Sequence, residues 1–438
     1  MGQQWYAFEG AGLPDAIFEF GTYQGNLVFG GLSYIYEWDG VDLKIIGVVD
    51  PGGGSAFPTC FIEFEGALLI GGFLRNIDGE FVGGAARYDG EAWSSMSTGM
   101  SDNSQVYDFA IFQDTLYAAG FIPELDEEPC HNVVKWDGEK WLPVPGFNSY
   151  VSCLLATDSI LYAGGSFTLS EAGDSIKRVS YFEDGKWHAL GQGLTSHSDI
   201  FGVPWNVEEL AFFQGKLWAS GFFLEYTTSG EAAHMAYLDE DSMWQNPGWT
   251  TTGQVWDMVI MQDELFVGGE FWGAFDPYQG AGDPFEVNCA LRFDGDSVRS
   301  LDGGLTWPAG WFDDTEVYGM GVWNDRLYVG GSFSYAGSVP SDGIAVWADS
   351  APTVGLLSPV YADGGLHPNP VSSGGWLYAD LPANSEAQIH FYSLDGRHLS
   401  SSRLTTNGVA APLVGPGIVA YRIDSGDGIY SRGLLQIK

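Results

Sequence analysis

An all-β chain, with a seven-bladed β-propeller followed by a small immunoglobulin-like β-sandwich, is the fold class this sequence predicts. Three observations lead to it. Glycine supplies 62 of the 438 residues and aromatics 15%, while charged residues reach only 17%; such a composition suits short strands and tight turns rather than long helices or disorder. One short motif then recurs seven times, the mark of a repeat architecture. Finally, the repeat stops near Asp349 and a differently patterned stretch runs on to Lys438. A chain this long exceeds one ordinary compact domain, so a repeat array (1–350), a linker (351–366) and an appended domain (367–438) are expected.

The motif reads GNLVFGG (25–31), GALLIGG (66–72), DTLYAAG (114–120), SILYAGG (159–165), GKLWASG (215–221), DELFVGG (263–269) and DRLYVGG (325–331). Its final glycines, Gly31, Gly72, Gly120, Gly165, Gly221, Gly269 and Gly331, are 41, 48, 45, 56, 48 and 62 residues apart. Unequal spacing around a fixed core places the insertions in particular loops. Each unit reads as four short strands. In the fourth, VSCLLA turns at Asp158-Ser159 into ILYAGGSF, and RVSYF turns at Asp184-Gly185 into KWHAL. Asp-Gly between strand-like runs predicts type I′ hairpins, and it recurs at Asp39-Gly40, Asp89-Gly90, Asp137-Gly138 and Asp294-Gly295. The paired glycines let backbones approach closely, and Phe167, Phe223, Phe271 and Phe333 fill the space between sheets. Four-stranded units repeated in this way predict a propeller. The seventh unit lacks its fourth strand after IAVWADS, and QQWYAFEGAGL (3–13) matches the missing piece. The N-terminus is therefore expected to close the last blade and remove its exposed edge; a truncated eighth blade is the rival.

The recurring LYVGG-x-F … WDG-x-W-x-x-LG-x-GL pattern resembles the extracellular Kelch-like and galactose-oxidase-like propellers of bacteria. The resemblance implies a fold and no activity, since the copper-site residues of galactose oxidase have no counterpart. Beyond the linker, His367-Pro368-Asn369-Pro370 precedes strand-like runs WLYADL, QIHFYSLDGRHLSSSRL, GIVAYRID and YSRGLLQIK, as in a small sandwich. Pro368-Asn369-Pro370, the turn Asp395-Gly396-Arg397, Gly417 before Ile418-Val419, and a last strand ending at Lys438 together resemble the C-terminal sorting domain of the type IX secretion system. They are also similar to FlgD-like immunoglobulin-type tails. The resemblance implies an export address, the type IX secretion machinery as partner, and an extracellular or outer-surface location.

Lys+Arg 17 against Asp+Glu 57 leaves a net charge of −40, which repels polyanions and excludes nucleic acid as a partner. The four cysteines, Cys60, Cys130, Cys153 and Cys289, show no CxxC and no metal-like spacing with the seven histidines; they read as small buried residues. No run approaches the roughly 20 apolar residues of a membrane helix. No leader-like segment follows Met1, so the numbering is expected to start after processing or inside a fragment. There is no GxSxG, HExxH, phosphate loop or dinucleotide fingerprint.

Because strands alternate direction, the long connections crowd one face of the array: residues 124–132, 195–206, 272–288 and 305–316. They carry Trp205, Trp272, Phe275, Tyr278, Trp307, Trp311 and Phe312 beside Asp313 and Asp314. Rings beside carboxylates suit a glycan or a protein hot spot, and they equally suit loop packing. Counting back twelve residues from each anchoring glycine reaches Glu19, Cys60, Asp108, Cys153, Glu209, Asp257 and Gly319. Four acids at one repeated position can hold Ca²⁺ through oxygen ligands, serve as an acid–base pair, or accept hydrogen bonds from unpaired strand amides; Asp313-Asp314 and Glu124–Glu128 are further Ca²⁺ candidates. No cofactor is required. The expected function is glycan or surface-protein binding at the cell surface; a polysaccharide lyase or hydrolase, or a structural surface-layer component, are the alternatives.

Overall fold

The computed structural model describes residues 3–8, 13, 16–50, 56–194, 206–227, 230–275, 285–307, 315–341 and 343–349, and beyond these only the backbone of strands between 376 and 437. All regular structure among the described residues is β, with no helix. The chain divides into two compact units, one built from Met1–Phe8, Asp15–Asp39 and Leu43–Pro352, the other from Thr353–Lys438 with Glu9–Pro14 and Gly40–Asp42.

Among the described residues the first unit holds three small sheets of two or three strands and seven larger antiparallel sheets, each of the seven opened by what we call its lead strand: Ile17–Tyr23, Phe57–Phe64, Gln105–Phe112, Val151–Ala156, Asn206–Phe213, Val255–Met261 and Glu316–Trp323. The second strand of each carries the glycine motif, and two more follow. The first sheet gains a further hairpin, Asn76–Ile77 with Glu80–Phe81, and so has six strands. The lead strands touch one another in sequence order, and the seventh also touches the first. Gln4–Ala7 is the fourth strand of the seventh sheet, with Gln4 opposite Ala348 and Ala7 opposite Ala345.

The core lies between consecutive sheets, where apolar side chains from both partners form successive clusters. Phe167, Phe223, Phe271 and Phe333 are all buried there. Tryptophans of the fourth strands latch neighbours together: the indole N–H donates to a main-chain carbonyl of the preceding sheet from Trp93 to Ile46, Trp141 to Met96, Trp187 to Pro145, Trp244 to Leu190 and Trp5 to Leu301. Each buries a large apolar ring while satisfying its polar end. This explains the tryptophan of the WDG-x-W motif; Leu43 and Val298 stand in its place in the first and sixth sheets.

The two motif glycines have different reasons. A Cβ on the first would strike the next lead strand, as at Gly71 against Val106, Gly164 against Val207, Gly268 against Val317 and Gly330 against Ile17. A Cβ on the second would lie 2.0–2.5 Å from a carbonyl at, or one residue before, the start of its own lead strand, as at Gly120, Gly165 and Gly331.

The Asp-Gly turns differ from the type I′ expectation. Only Asp184 joins its glycine at positive φ (51° and 77°). At Asp89, Asp137 and Asp294 the carboxylate Oδ1 accepts two amide N–H groups ahead of it, so the aspartate keeps ordinary φ and only glycine turns left-handed. Consecutive positive φ values occur instead in the turn after the lead strand: Gln24-Gly25, Glu65-Gly66, Gln113-Asp114, Gln214-Gly215, Gln262-Asp263 and Asn324-Asp325.

In the second unit, His398–Leu404, Ala387–Tyr392, Gly417–Ser425 and Gly428–Ile437 form one sheet in that order, and Trp376–Leu377 pairs with Val409–Ala410. Gly417 opens its strand opposite Ile437. Pro368, Asn369, Pro370, Asp395, Gly396, Arg397 and Lys438 lie outside the described residues.

Candidate functional site

Of the expected loop residues, Trp272 and Trp307 are described, at 56% and 38% exposure. Their loops are stitched together by main-chain bonds: Trp272 O accepts from Val287 N and Asn288 N, and Asn288 O accepts from Leu305 N. Thr252 Oγ1 accepts from the amides of Trp272 and Gly273, and the Trp307 indole donates to Ser332 O. Both rings are therefore anchored at the backbone while their surfaces face water. Phe275 ends the short strand Gly273–Phe275. Trp205, Tyr278, Trp311, Phe312, Asp313 and Asp314 lie outside the described residues. Glu124–Glu128 forms a hairpin, Glu124–Leu125 with Glu128–Pro129.

The repeated position on the lead strand has a distinct geometry. Every lead strand carries a β-bulge immediately before it, between Ile17 and Glu19, Pro58 and Cys60, Val106 and Asp108, Val151 and Cys153, Val207 and Glu209, Val255 and Asp257, and Val317 and Gly319. A bulge interrupts the ladder and leaves amides unpaired, and the acids take them. Glu19 Oε1 accepts from Phe20 N at 3.0 Å. Asp108 accepts from Phe109 N and, at 2.6 Å, from Leu154 N of the next lead strand. Asp257 accepts likewise from Met320 N at 2.6 Å. The third and fourth, and the sixth and seventh, lead strands are thus stapled by a carboxyl group.

Burial pushes Asp108 up to about 7 and Asp257 up to about 6, against the lowering effect of their amide partners. Burial, followed by the charge of Asp257, raises Glu19 and Glu209 well above the usual carboxylate range. Cys60 and Cys153 occupy the same position in the second and fourth sheets; both are buried, and burial raises their thiols. Asp108 and Asp257 each hold a backbone amide of the neighbouring lead strand. Among the described residues, no group of three or more His, Cys, Asp or Glu side chains is arranged to hold a metal ion.

The bulged residues themselves form a second set, absent from the sequence reading: Phe18, Thr59, Tyr107, Ser152, Glu208, Trp256 and Tyr318. Part of it is a continuous aromatic arc. Tyr318 stacks on Phe18 (4.6 Å between centroids), Phe18 on Phe57 (4.6 Å), Phe57 on Phe73 (4.7 Å) and Phe73 on Tyr107 (5.6 Å). Tyr150 meets Tyr107 edge-on at 5.8 Å. The rest is polar. Glu208 Oε1 accepts from Asn206 Nδ2 at 2.5 Å and Gln254 Nε2 at 3.2 Å. Burial raises its carboxyl, while Asn206 and Ser152 oppose the rise. Tyr107 is pushed up to about 12 by burial, with Tyr150 and Glu208 adding to the shift. The signal for this set was one residue away in the aligned repeat: the position before each acid is aromatic in four of seven units.

No family model matches the chain, and no curated protein matches it. Among solved structures it is similar to the extracellular domain of the putative one component system BT4673 from B. thetaiotaomicron, at 12% identity and a TM-score of 0.46. That match takes in 100% of this chain and 58% of the other, so this chain spans 58% of that protein's length. It is also similar to PorZ, a surface component of the type IX secretion system of Porphyromonas gingivalis (12% identity, TM-score 0.37, 94% of this chain and 69% of that one). A third similar structure is the computationally designed Ika8 protein (16% identity, TM-score 0.42, 79% and 99%).

Proposed function

We propose that the first unit is a seven-bladed propeller that binds a glycan at the cell surface, and that the second is its export address. The propeller reading is supported by seven sheets whose lead strands touch in order and return to the first, and by an N-terminal strand that completes the last sheet. The observation that carries the binding reading is the pair of solvent-facing indoles, Trp272 and Trp307, held on adjacent stitched loops. Isolated exposed apolar residues are ordinary, but two anchored tryptophans on loops joined by main-chain hydrogen bonds offer aromatic faces for stacking.

On a glycan array, with and without Ca²⁺, the full chain is expected to retain at least one oligosaccharide. Trp272→Ala is expected to weaken that binding by roughly 1–3 kcal/mol, the cost of losing an aromatic anchor, and Trp307→Ala to act in the same direction. Unchanged affinity in both folded variants, or no glycan bound at all, overturns the binding reading. The export role makes a separate demand. Deleting residues 367–438 is expected to abolish secretion from the native host while leaving the first unit's melting transition in place, and undiminished secretion of the shortened chain overturns it.

A further inference from the structure

The turn end of the lead strands presents a second surface, apart from the loops of Trp272 and Trp307. We propose that it docks a basic, partly apolar segment of a partner polypeptide, with one lysine or arginine side chain entering a cleft beside Glu63.

Three residues beyond the repeated position, the third to seventh lead strands carry Ile111, Ala156, Phe212, Ile260 and Val322, and the first two carry Thr22 and Glu63. Neighbouring lead strands hold nearly the same register. Asp108 accepts from Leu154 N and Asp257 from Met320 N, while a Cβ on Gly321 would lie 2.5 Å from that of Phe20 and one on Gly21 2.5 Å from that of Phe61. The seven residues therefore stand at one level. Ile111, Phe212, Ile260 and Val322 are 36–40% exposed, and Ala156 is half-buried. Single exposed apolar residues need no explanation, but apolar residues at one level on five successive strands make a continuous arc. Phe212 also meets Tyr162 edge-on at 5.7 Å, which holds its ring in place.

The arc ends at a cleft of about 250 Å³ between the seventh, first and second lead strands, whose side chains include Thr22, Leu27, Phe61, Ile62, Glu63 and Val322. Its volume falls below the roughly 300–1,000 Å³ of small-molecule pockets and suits a single side chain. Glu63 is exposed, and its Oε2 accepts from Gln24 N at 2.7 Å, which fixes the carboxylate against the first turn. A lysine or arginine matches this cleft: its stem lies along apolar side chains and its charged head meets a carboxylate.

Charge selects the occupant of the whole surface. The two-residue turns that follow the lead strands carry Glu65, Asp114, Asp158, Asp263 and Asp325, all exposed, and no cation. Next after these turns stand two cations, Lys216 and Arg326, and one further acid, Glu264; the Lys216 ammonium already lies over the Tyr237 ring. A second copy of this chain, at a net charge of −40, or an anionic lipid surface meets repulsion here. A segment that places cations beside apolar residues satisfies the arc, the cleft and the turns together.

The test pans the full chain against a phage-displayed library of random dodecapeptides, followed by calorimetric titration of the selected peptides after synthesis. They are expected to carry arginine or lysine beside leucine, isoleucine, valine or phenylalanine. Binding is expected to weaken at least about tenfold from ~0.05 M to ~0.5 M salt, as the Debye length shrinks from about 14 to about 4 Å. Glu63→Gln, which keeps an acceptor for Gln24 N and removes the charge, is expected to weaken the strongest peptide by about tenfold, and Ile260→Asn with Val322→Asn to act in the same direction. Because the paired variant can perturb folding, the peptide itself supplies a second measurement. Replacing its arginine by citrulline, or its lysine by norleucine, is expected to cost about tenfold against the unaltered protein and little further against Glu63→Gln, the coupling expected of two groups in contact. Trp272→Ala is expected to leave peptide affinity unchanged. Selection of no peptide or of acidic ones, or equal losses from the citrulline or norleucine replacement in both proteins, overturns the proposal. Peptide affinity lost in Trp272→Ala moves the site to the long loops and overturns it as well, and spermidine binding as tightly as the peptides shows a polyamine site in its place.

Discussion

Removing residues 3–8 is expected to cost the first unit most of its stability. The deleted segment holds two buried rings at the junction between the two ends of the array. Trp5, 3% exposed, donates its indole N–H to Leu301 O and meets Trp347 edge-on at 5.1 Å. Phe8, 6% exposed, reaches past its own sheet to Phe29 and Trp38 of the first, at 5.4 and 5.5 Å. Gln3 adds polar ties, accepting from Arg292 and from the indole of Trp347. Truncating one buried aromatic costs about 3–5 kcal/mol, so losing both approaches the whole stability of a typical domain, about 5–15 kcal/mol. The loss also bares Ile344–Ala348 as an unpaired edge, which invites aggregation. The shortened chain is expected to lose its cooperative melting transition or to melt at least about 10 °C lower, and a synthetic peptide of residues 3–13 added in trans is expected to restore part of the difference. A melting temperature equal to that of the full chain would refute closure by this strand.

The glycine motif was legible because it depends on a hard constraint. A Cβ at Gly120 or Gly331 would lie 2.0 Å from a carbonyl, and no other residue survives there, so the pattern persists across seven units. The acids of the lead strand were visible as a column for a related reason: the bulge beside them creates the same unpaired amides in each sheet. What they do was not visible, because the amide that Asp108 accepts from, on Leu154, lies 46 residues away and only the closed approach of neighbouring strands brings them together. The turns were misread for a local reason. Gln113-Asp114 and Gln262-Asp263 take left-handed φ although Gln is not a usual choice there and neither pair contains glycine, because the two strands they join already fix a two-residue reversal whose twist only the type I′ geometry matches. The bulge ring escaped notice because it mixes Phe, Thr, Tyr, Ser, Glu and Trp. A position whose residue type changes from unit to unit is passed over by a search for sameness.

The buried carboxyl groups set the pH dependence of folding. Asp108 and Asp257 hold their protons in the folded protein up to about 7 and about 6, against about 3.9 in an unfolded chain. A folded value above the unfolded one contributes stability that is complete below the unfolded value and is lost as pH rises through the folded value. Each unit of difference is worth about 1.4 kcal/mol; with a discount for their partial accessibility, the two together amount to a few kcal/mol. Glu19 and Glu209, raised by burial and by the charge of Asp257, act in the same direction. The turn aspartates Asp89, Asp137 and Asp294 act in the opposite sense, since backbone N–H bonds lower them; their effect is confined to acid, below about pH 4. Denaturant unfolding is therefore expected to show greatest stability near pH 4 and a steady decline from there to pH 8. General repulsion within a chain of net charge −40 falls in the same range, but salt screens surface charge far more than buried charge, so the decline is expected to survive in 0.5 M salt, about a 4 Å Debye length. Asp108→Asn separates the two further: its one amide oxygen can accept from Leu154 N without titrating, at the loss of the bond from Phe109 N, so the variant is expected to be less stable overall but to decline less steeply with pH than the unaltered protein. Stability that is flat or rising from pH 5 to pH 8, or an Asp108→Asn profile of unchanged slope, would show that these groups are ionised in the folded protein and that the staples work as charged acceptors.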